Sequence, residues 1–325
     1  MTTQWLLDWH SRTGVVRRAL KQATRAGAAQ VEMKEPLLPG NLRVAAVQMQ
    51  MALLETPAFV QRVAGHVRRA AASGAHLVVF PEHTGSMLLG LLPAVRNGAR
   101  SATLLPGHKP QDVMGWVAPA ASRVMHEAFG ALAQQYNCYI VSGTLVLDDA
   151  GAYRARNALF APQGGVAGAQ DKLHPSFNEM EWLKAGDALN VHPIDQLGAD
   201  CATVIALLAS ADAGFWEPAR IACNNGAEVL VESAADDDPL TNPYAQARGL
   251  LMRTQEVPCF GVRACMVGDF MNMKLRGPSY ICAPWPITAQ KDGSIAVAAS
   301  DSQAELLMAD LDLEALRTLR AERTV

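Results

Sequence analysis

Long apolar runs are missing from this chain, and so are paired thiols, glycine-rich phosphate loops and blocks of like charge. No stretch approaches the ~18 consecutive apolar residues of a membrane span, so no transmembrane helix is expected. The six cysteines, at 138, 201, 223, 259, 265 and 282, form no CxxC pair and mostly sit inside apolar runs. Buried thiols in a reducing cytoplasm are expected rather than a disulfide framework. The absence of a GxGxxG or Walker pattern removes sequence support for a nucleotide cofactor. No His, Cys and Asp residues stand at zinc spacing, so no metal is expected. Charged residues make up only 18% of the chain, the formal charge is -3, and Lys and Arg are scattered. That gives no electrostatic reason to expect a nucleic-acid partner. Solenoid-period repeats and low-complexity segments are lacking too.

Half of the 325 residues are apolar, enough to fill one large α/β domain or two smaller ones. The opening, Met1 to Ala29, places Trp5, Leu6 and Leu7 before Asp8, with Arg17, Arg18, Lys21 and Arg25 behind them. A signal peptide puts its charges first and keeps its apolar core whole. An amphipathic helix packed on the domain or on a partner subunit is expected within residues 1–40. A transit-like or membrane-surface role is the alternative.

Pro36 to Gly40 breaks the pattern, and Arg43 to Met49 opens the first strand. Thr56-Pro57 reads as a helix start, a hydroxyl cap with proline at the first helical position. Val60, Val63, Ala64, Val67 and Ala71 recur at helical spacing until Gly74. His76 to Phe80 is a short buried strand, placed beside the first by a right-handed crossover. Residues 83–108, with Pro93, Gly98, Pro106 and Gly107, read as a loop of functional length. A helix over Gln111–Gln135 and a strand over Tyr139–Leu147 follow. Asn157–Ala161 and Val166–Gln170 flank Pro162-Gln163-Gly164-Gly165 as a hairpin. The second half reads as a strand ending at Ala209, a helix over Glu217–Asn225 and a strand over Glu228–Glu232. Beyond these come a helix over Tyr244–Thr254, strands near Phe260–Ala264, Tyr280–Ala283, Ile295–Ala298 and Leu306–Leu311, and a last helix, Leu313–Ala321. Several strands succeed one another without a helix. The expected fold class is therefore α/β: a four-layer α-β-β-α sandwich of two mixed sheets with outer helices.

Three apolar runs stop at chemically different groups. Leu77 to Pro81 leads to Glu82, and the proline ends the strand abruptly. Lys172 follows a hairpin strand, and Val204 to Ala209 leads to Ser210. Singly, Glu82 also reads as a polar strand terminus and Lys172 as a surface lysine. Together at one sheet edge, a carboxylate, an ammonium and a hydroxyl are the parts for acyl transfer.

The surroundings of these residues resemble the nitrilase (carbon–nitrogen hydrolase) superfamily. Its members usually read Cys-x-Asp-x-x-Phe-Pro-Glu-x-x-Arg, then a helix, then Gly-Ala-acidic-Val-Leu. Ser210, Asp212, Phe215, Glu217, Arg220 and Gly226-Ala227-Glu228-Val229-Leu230 fall into that frame without a gap. Ser210 stands where the family has cysteine and Trp216 where it has proline; Cys223 falls within the helix that follows and reads as core. Lys172-Leu173, Phe177, Glu179, Glu181, Trp182 and Gly186-Asp187 are similar to a second family pattern. The resemblance implies a carbon–nitrogen hydrolase domain over residues 41–325, behind the N-terminal extension. Asp171 to Trp182 and a tail with Arg248, Gln255-Glu256 and Trp285-Pro286 look closest to bacterial members sometimes fused to an acetyltransferase, although no such domain is present.

The resemblance also implies roles. A thiolate attacks an amide, carbamoyl or nitrile carbon, with Glu82 as general base. Lys172 sits beside the developing oxyanion, helped by a backbone N–H just after the nucleophile. Glu179 is the second glutamate that orients the site, with Glu181 or a plain solvated turn as alternatives. His83, Ala211 and Trp216 are candidate substrate-binding residues; Asn157 matches a structural asparagine. No cofactor is implied. The partners implied are a small amide or nitrile substrate and a second copy of the chain, as a homodimer or higher homo-oligomer. The first and last helices are candidates for exchange between subunits. Specificity is expected in residues 83–108 and 266–279, where Met266, Phe270, Met271 and Met273 read as an adaptable apolar wall or as core filler.

Serine changes the chemistry. A free thiol titrates near about 8.5, whereas a hydroxyl needs a base to remove its proton during attack. The chain as written is expected to bind substrate and turn it over slowly or not at all. An engineered Cys→Ser form and a divergent homologue both fit. A pseudoenzyme that binds an amide or acyl metabolite, or a partner, is the competing class. A serine hydrolase elbow, Gly-x-Ser-x-Gly, is not met, because Leu208 and Asp212 hold its glycine positions.

Overall fold

Strands outnumber helices in the computed structural model, which describes residues 3–25, 40–97, 105–149, 151–195, 197, 202–237 and 248–322. The strands are β1 (Asn41–Gln50), β2 (Leu77–Val79), β3 (Tyr139–Asp149), β4 (Ala152–Phe160), β5 (Val166–Asp171), β6 (Val191–Ile194) and β7 (Thr203–Ala209). They continue with β8 (Val229–Ala234), β9 (Asp236–Asp237), β10 (Phe260–Phe270), β11 (Met273–Arg276), β12 (Tyr280–Cys282), β13 (Ser294–Val297) and β14 (Glu305–Asp312). The helices are α1 (Thr3–His10), α2 (Thr13–Arg25), α3 (Thr56–Ala72), α4 (Pro93–Asn97), α5 (Pro110–Tyr136), α6 (Trp216–Asn224), α7 (Leu250–Glu256) and α8 (Leu313–Glu322).

The sheet order is β5-β4-β3-β2-β1-β10-β8-β7-β6, with β14 antiparallel to β1 and β12 antiparallel to β10. Alternation along β1 divides its side chains between two faces. Leu42, Val44 and Ala46 join Ile205, Leu207, Val229, Val231 and Val262 in one core between the two halves of the sheet. Ala45, Val47 and Met49 instead share a core with α3 and α5. On the far side, Ala206, Leu208 and Leu230 pack with Ala219, Ala222 and Leu250 of α6 and α7. The result is four layers, as expected. The two half-sheets form a single hydrogen-bonded path, joined where Met49 and Gln50 pair in parallel with Met266 and Val267.

Several local expectations change. The opening helix is two helices, α1 and α2, which bury Leu7, Val16, Ala19, Leu20 and Ala23 in the same core as α3 and α5. Thr56 does not cap its own helix; its hydroxyl donates to the His10 carbonyl at 2.7 Å and ties α1 to α3. Residues 83–108 are not an open loop: Gly85–Leu91 is a fully buried 3-10 helix followed by α4, and residues 98–104 lie outside the described residues. The start of the helix expected at Tyr244 is also outside them; Leu250–Glu256 is its described part. The hairpin at Pro162 to Gly165 forms, closed by Ala161 N–H to the Gly165 carbonyl at 2.9 Å. Helix α8 packs on its own chain, with Leu313 and Leu316 in the core between the half-sheets and Arg317 on Glu228 at 2.8 Å.

Candidate active site

Glu82 follows β2 through Phe80 and Pro81. Phe80 N–H donates to the Val141 carbonyl at 2.9 Å, and its ring meets Phe129 edge-on at 5.1 Å. Losing such a ring costs about 3–5 kcal/mol, so the strand end is firmly anchored. The chain then turns: Thr84 Oγ1 donates to the Pro81 carbonyl at 2.7 Å, and His83 N–H donates to Thr144 Oγ1 at 3.0 Å. His83 takes a left-handed φ of 61°. The Glu82 side chain is thereby pinned inward, 1% exposed.

Lys172 leaves the end of β5. Its N–H donates to the Ala155 carbonyl and its own carbonyl accepts from Gly186 N–H, both at 2.8 Å. Arg154 holds the Gly186-Asp187 turn, donating to Asp187 at 2.9 Å and to the Ala185 carbonyl at 2.7 Å. Glu179 accepts Ser176 N–H at 2.7 Å. Lys172 Nζ donates to Glu82 Oε1 at 3.0 Å and to Glu179 Oε2 at 2.7 Å.

Ser210 begins a 3-10 turn at the end of β7, with a left-handed φ of 36° that a side-chain-bearing residue adopts only under constraint. The constraint is Asp212, fully buried. One of its oxygens accepts Ala209 N–H at 3.0 Å; the other accepts Leu173 N–H at 3.0 Å and His174 N–H at 2.7 Å. A single carboxylate therefore fastens the Ser210 turn to the Lys172 segment. Ser210 Oγ accepts Ala235 N–H at 2.8 Å and donates to Glu82 Oε2.

Residues 82, 172, 179 and 210 thus meet in one linked group, two carboxylates against one ammonium. Burial works against the ammonium of Lys172, but Glu82 and Glu179 outweigh it and hold its pKa above the usual value. Burial likewise opposes the Glu179 carboxylate, and Lys172 and Ser176 N–H pull it below the usual range. These groups line a cavity of about 1530 Å³, together with His83, Ala211, Trp216 and Glu181. Phe270, Met271 and Met273 form part of its wall, whereas Met266 is fully buried in the core. From residues 83–97 and 105–108 only His83 reaches it.

Sequence reading passed over many lining residues, Glu232, Asp236 and Arg263 among them. Arg263 donates to Glu232 and Asp236. The available signal was a glutamate and an arginine, each inside an apolar strand. Cys223 lies in α6, as expected. Among the described residues no group of His, Cys, Asp and Glu could hold a metal ion, and no helix is long and apolar enough to cross a membrane.

Comparisons with known proteins bear on the family and the fold. A family model for carbon–nitrogen hydrolases matches residues 43–321. The chain is 25% identical over 287 residues to a nitrilase of Pyrococcus abyssi (strain GE5 / Orsay), covering 86% of this chain and 93% of that protein. Among solved structures it is similar to Saccharomyces cerevisiae Nit3, a member of branch 10 of the nitrilase superfamily. The TM-score is 0.66, with 18% identity over 88% of this chain and 95% of that one. An amidase from Nesterenkonia sp. gives a TM-score of 0.64, with 18% identity over 88% of this chain and 96% of that one. At that identity the two structures speak for the fold, and the family model speaks for descent. The chain belongs to the carbon–nitrogen hydrolase family.

Proposed function

We propose that this chain is an amidase-type hydrolase of non-peptide carbon–nitrogen bonds whose turnover is impaired by serine at position 210. One observation carries the reading: Ser210 Oγ donates to Glu82, while Lys172 bridges Glu82 and Glu179. With cysteine at 210, Glu82 takes the thiol proton as sulfur attacks the carbonyl carbon of a small amide. The C=O electrons move to oxygen, and Lys172 stabilises that charge. Two of its three N–H donors are held by carboxylates, leaving one for the oxyanion, beside the backbone N–H of Ala211. Collapse expels the amine, which takes the proton from Glu82. Water then cleaves the acyl-enzyme by the same route in reverse. Serine keeps this geometry and loses the acidity. Buried, unpaired Cys138, Cys259, Cys265 and Cys282 fit a reducing compartment such as the cytoplasm.

The test is Ser210→Cys, assayed for ammonia release on a panel of small amides and nitriles. A gain of about a hundredfold or more over the serine chain is expected, because the acidity gap between thiol and hydroxyl is large. An inert Ser210→Cys protein that still binds amides would instead support the second reading, a binding pseudoenzyme. Ser210 and Trp216 in place of the family's cysteine and proline favour that alternative. The finer placement, near bacterial members sometimes fused to an acetyltransferase, and a homodimeric state belong to this proposal as well.

A further inference from the structure

One polar cluster in the cavity has no part in that chemistry. Glu232 of β8 stands in register with Leu208 of β7 on one side and Arg263 of β10 on the other. Glu232 is 1% exposed and Arg263 7%. The Arg263 guanidinium is spent on Glu232 Oε1 and on Asp236, and lies over the Tyr280 ring at 5.6 Å. Glu232 Oε2 is buried and has no hydrogen-bond partner among the described residues. A carboxylate oxygen desolvated without a donor is costly. The cost shows in its acidity: burial pushes Glu232 up to about 7, and Arg263 offsets this only in part.

The charge around it has a sign. Among the described residues, eight carboxylates and five Lys or Arg side chains line the same cavity as Ser210. Of the three other arginines lining the cavity, Arg253 is paired with Glu256 at 3.1 Å and keeps a buried Nε without a partner among the described residues, Arg220 lies over the Trp216 ring at 5.7 Å, and Arg248 is exposed. A ligand group that fits the unpartnered oxygen must donate hydrogen bonds, and in this field a cation is favoured over a neutral donor or an anion.

We propose that Glu232 is the floor of a second subsite, which takes a primary ammonium at the end of the substrate remote from the scissile carbonyl. The substrate class is then a short amino-amide. This deepens the hydrolase reading and rests on it for the identity of the reacting end, but binding can be read without turnover. The probes are 3-aminopropanamide, the isosteric butanamide and the anionic succinamate, titrated calorimetrically into the unmodified Ser210 chain at pH 8. Expected is binding of the amino-amide about tenfold or more tighter than either of the others. Glu232→Gln is expected to narrow that gap to within about threefold, since the amide keeps the volume and gives up the charge. Equal binding of the three, or preference for butanamide or succinamate, overturns the subsite, and this comparison needs no variant to fold. An inactive Ser210→Cys chain with the amino-amide preference intact would sink the hydrolysis and leave the subsite standing.

Discussion

At Ser210 a hydroxyl stands between a backbone donor, Ala235 N–H, and a carboxylate acceptor on Glu82. Twenty-two residues on, Glu232 Oε2 shows the opposite condition, an acceptor with nothing to accept among the described residues. Arg263, Asp236 and Glu82 act on it, and burial dominates, placing its pKa near 7 against an ordinary 4.5. The folded chain therefore keeps this proton longer than the unfolded one. Between those two values folding binds a proton, so stability is full below about pH 4.5 and falls as pH rises through 7, by up to about 3 kcal/mol. Thermal melts of the chain and of Glu232→Gln between pH 5 and 8 read this directly. The native chain is expected to lose midpoint temperature across that span, and the variant to follow a flatter line. Glu82 and Ser210 were legible because each closes an apolar run, and Lys172 because it follows a hairpin strand. Glu232 and Arg263 were not, because their pairing crosses 31 residues and is set by strand register, which a single sequence does not display.

Among the elements, the turn that presents Glu82 depends on β3. Gly143 has φ 73°, and a Cβ there would run into the Pro81 carbonyl oxygen, one residue before Glu82. Gly143→Ala is expected to cost about 2–4 kcal/mol in urea unfolding and to displace the carboxylate. Gly151→Ala is the control: its φ is 87°, yet nothing lies within 4 Å, so a loss of only about 1 kcal/mol is expected. A Gly143→Ala loss no larger than the control's would contradict the close approach. Helices α3 and α5 and the β4–β5 hairpin were readable from apolar spacing and turn residues. The buried 3-10 helix at Gly85–Leu91 was not. Pro93, Gly98, Pro106 and Gly107 made the whole stretch read as a loop, whereas Gly90 is small because the backbone of Leu53 and Leu54 presses against it.

Taken whole, the molecule adds two helices to the layer that covers its first half-sheet. The family match begins at residue 43, yet Leu7, Val16 and Leu20 are buried in the same core as Phe59 and Phe129. Removing residues 1–39 uncovers that face, and each lost apolar side chain is worth about 1.5–3 kcal/mol. The truncated protein is expected to melt well below the full chain or to aggregate; an unchanged melting temperature would show that α1 and α2 are dispensable. The layered architecture was legible because strands follow one another without helices between. The seam at Met49 and Gln50 was not, since twist and strand length decide where two half-sheets touch.

Asp212 grips the N–H groups of Ala209, Leu173 and His174 and the His174 ring, never the side chain at 210. The frame is accordingly blind to whether sulfur or oxygen occupies that spot. One atom switches the chemistry while the mould around it keeps its shape. Under the proposed hydrolase reading, a chain built this way is expected to cradle an intact amide for as long as oxygen holds the post, a snare for capturing its own substrate unbroken.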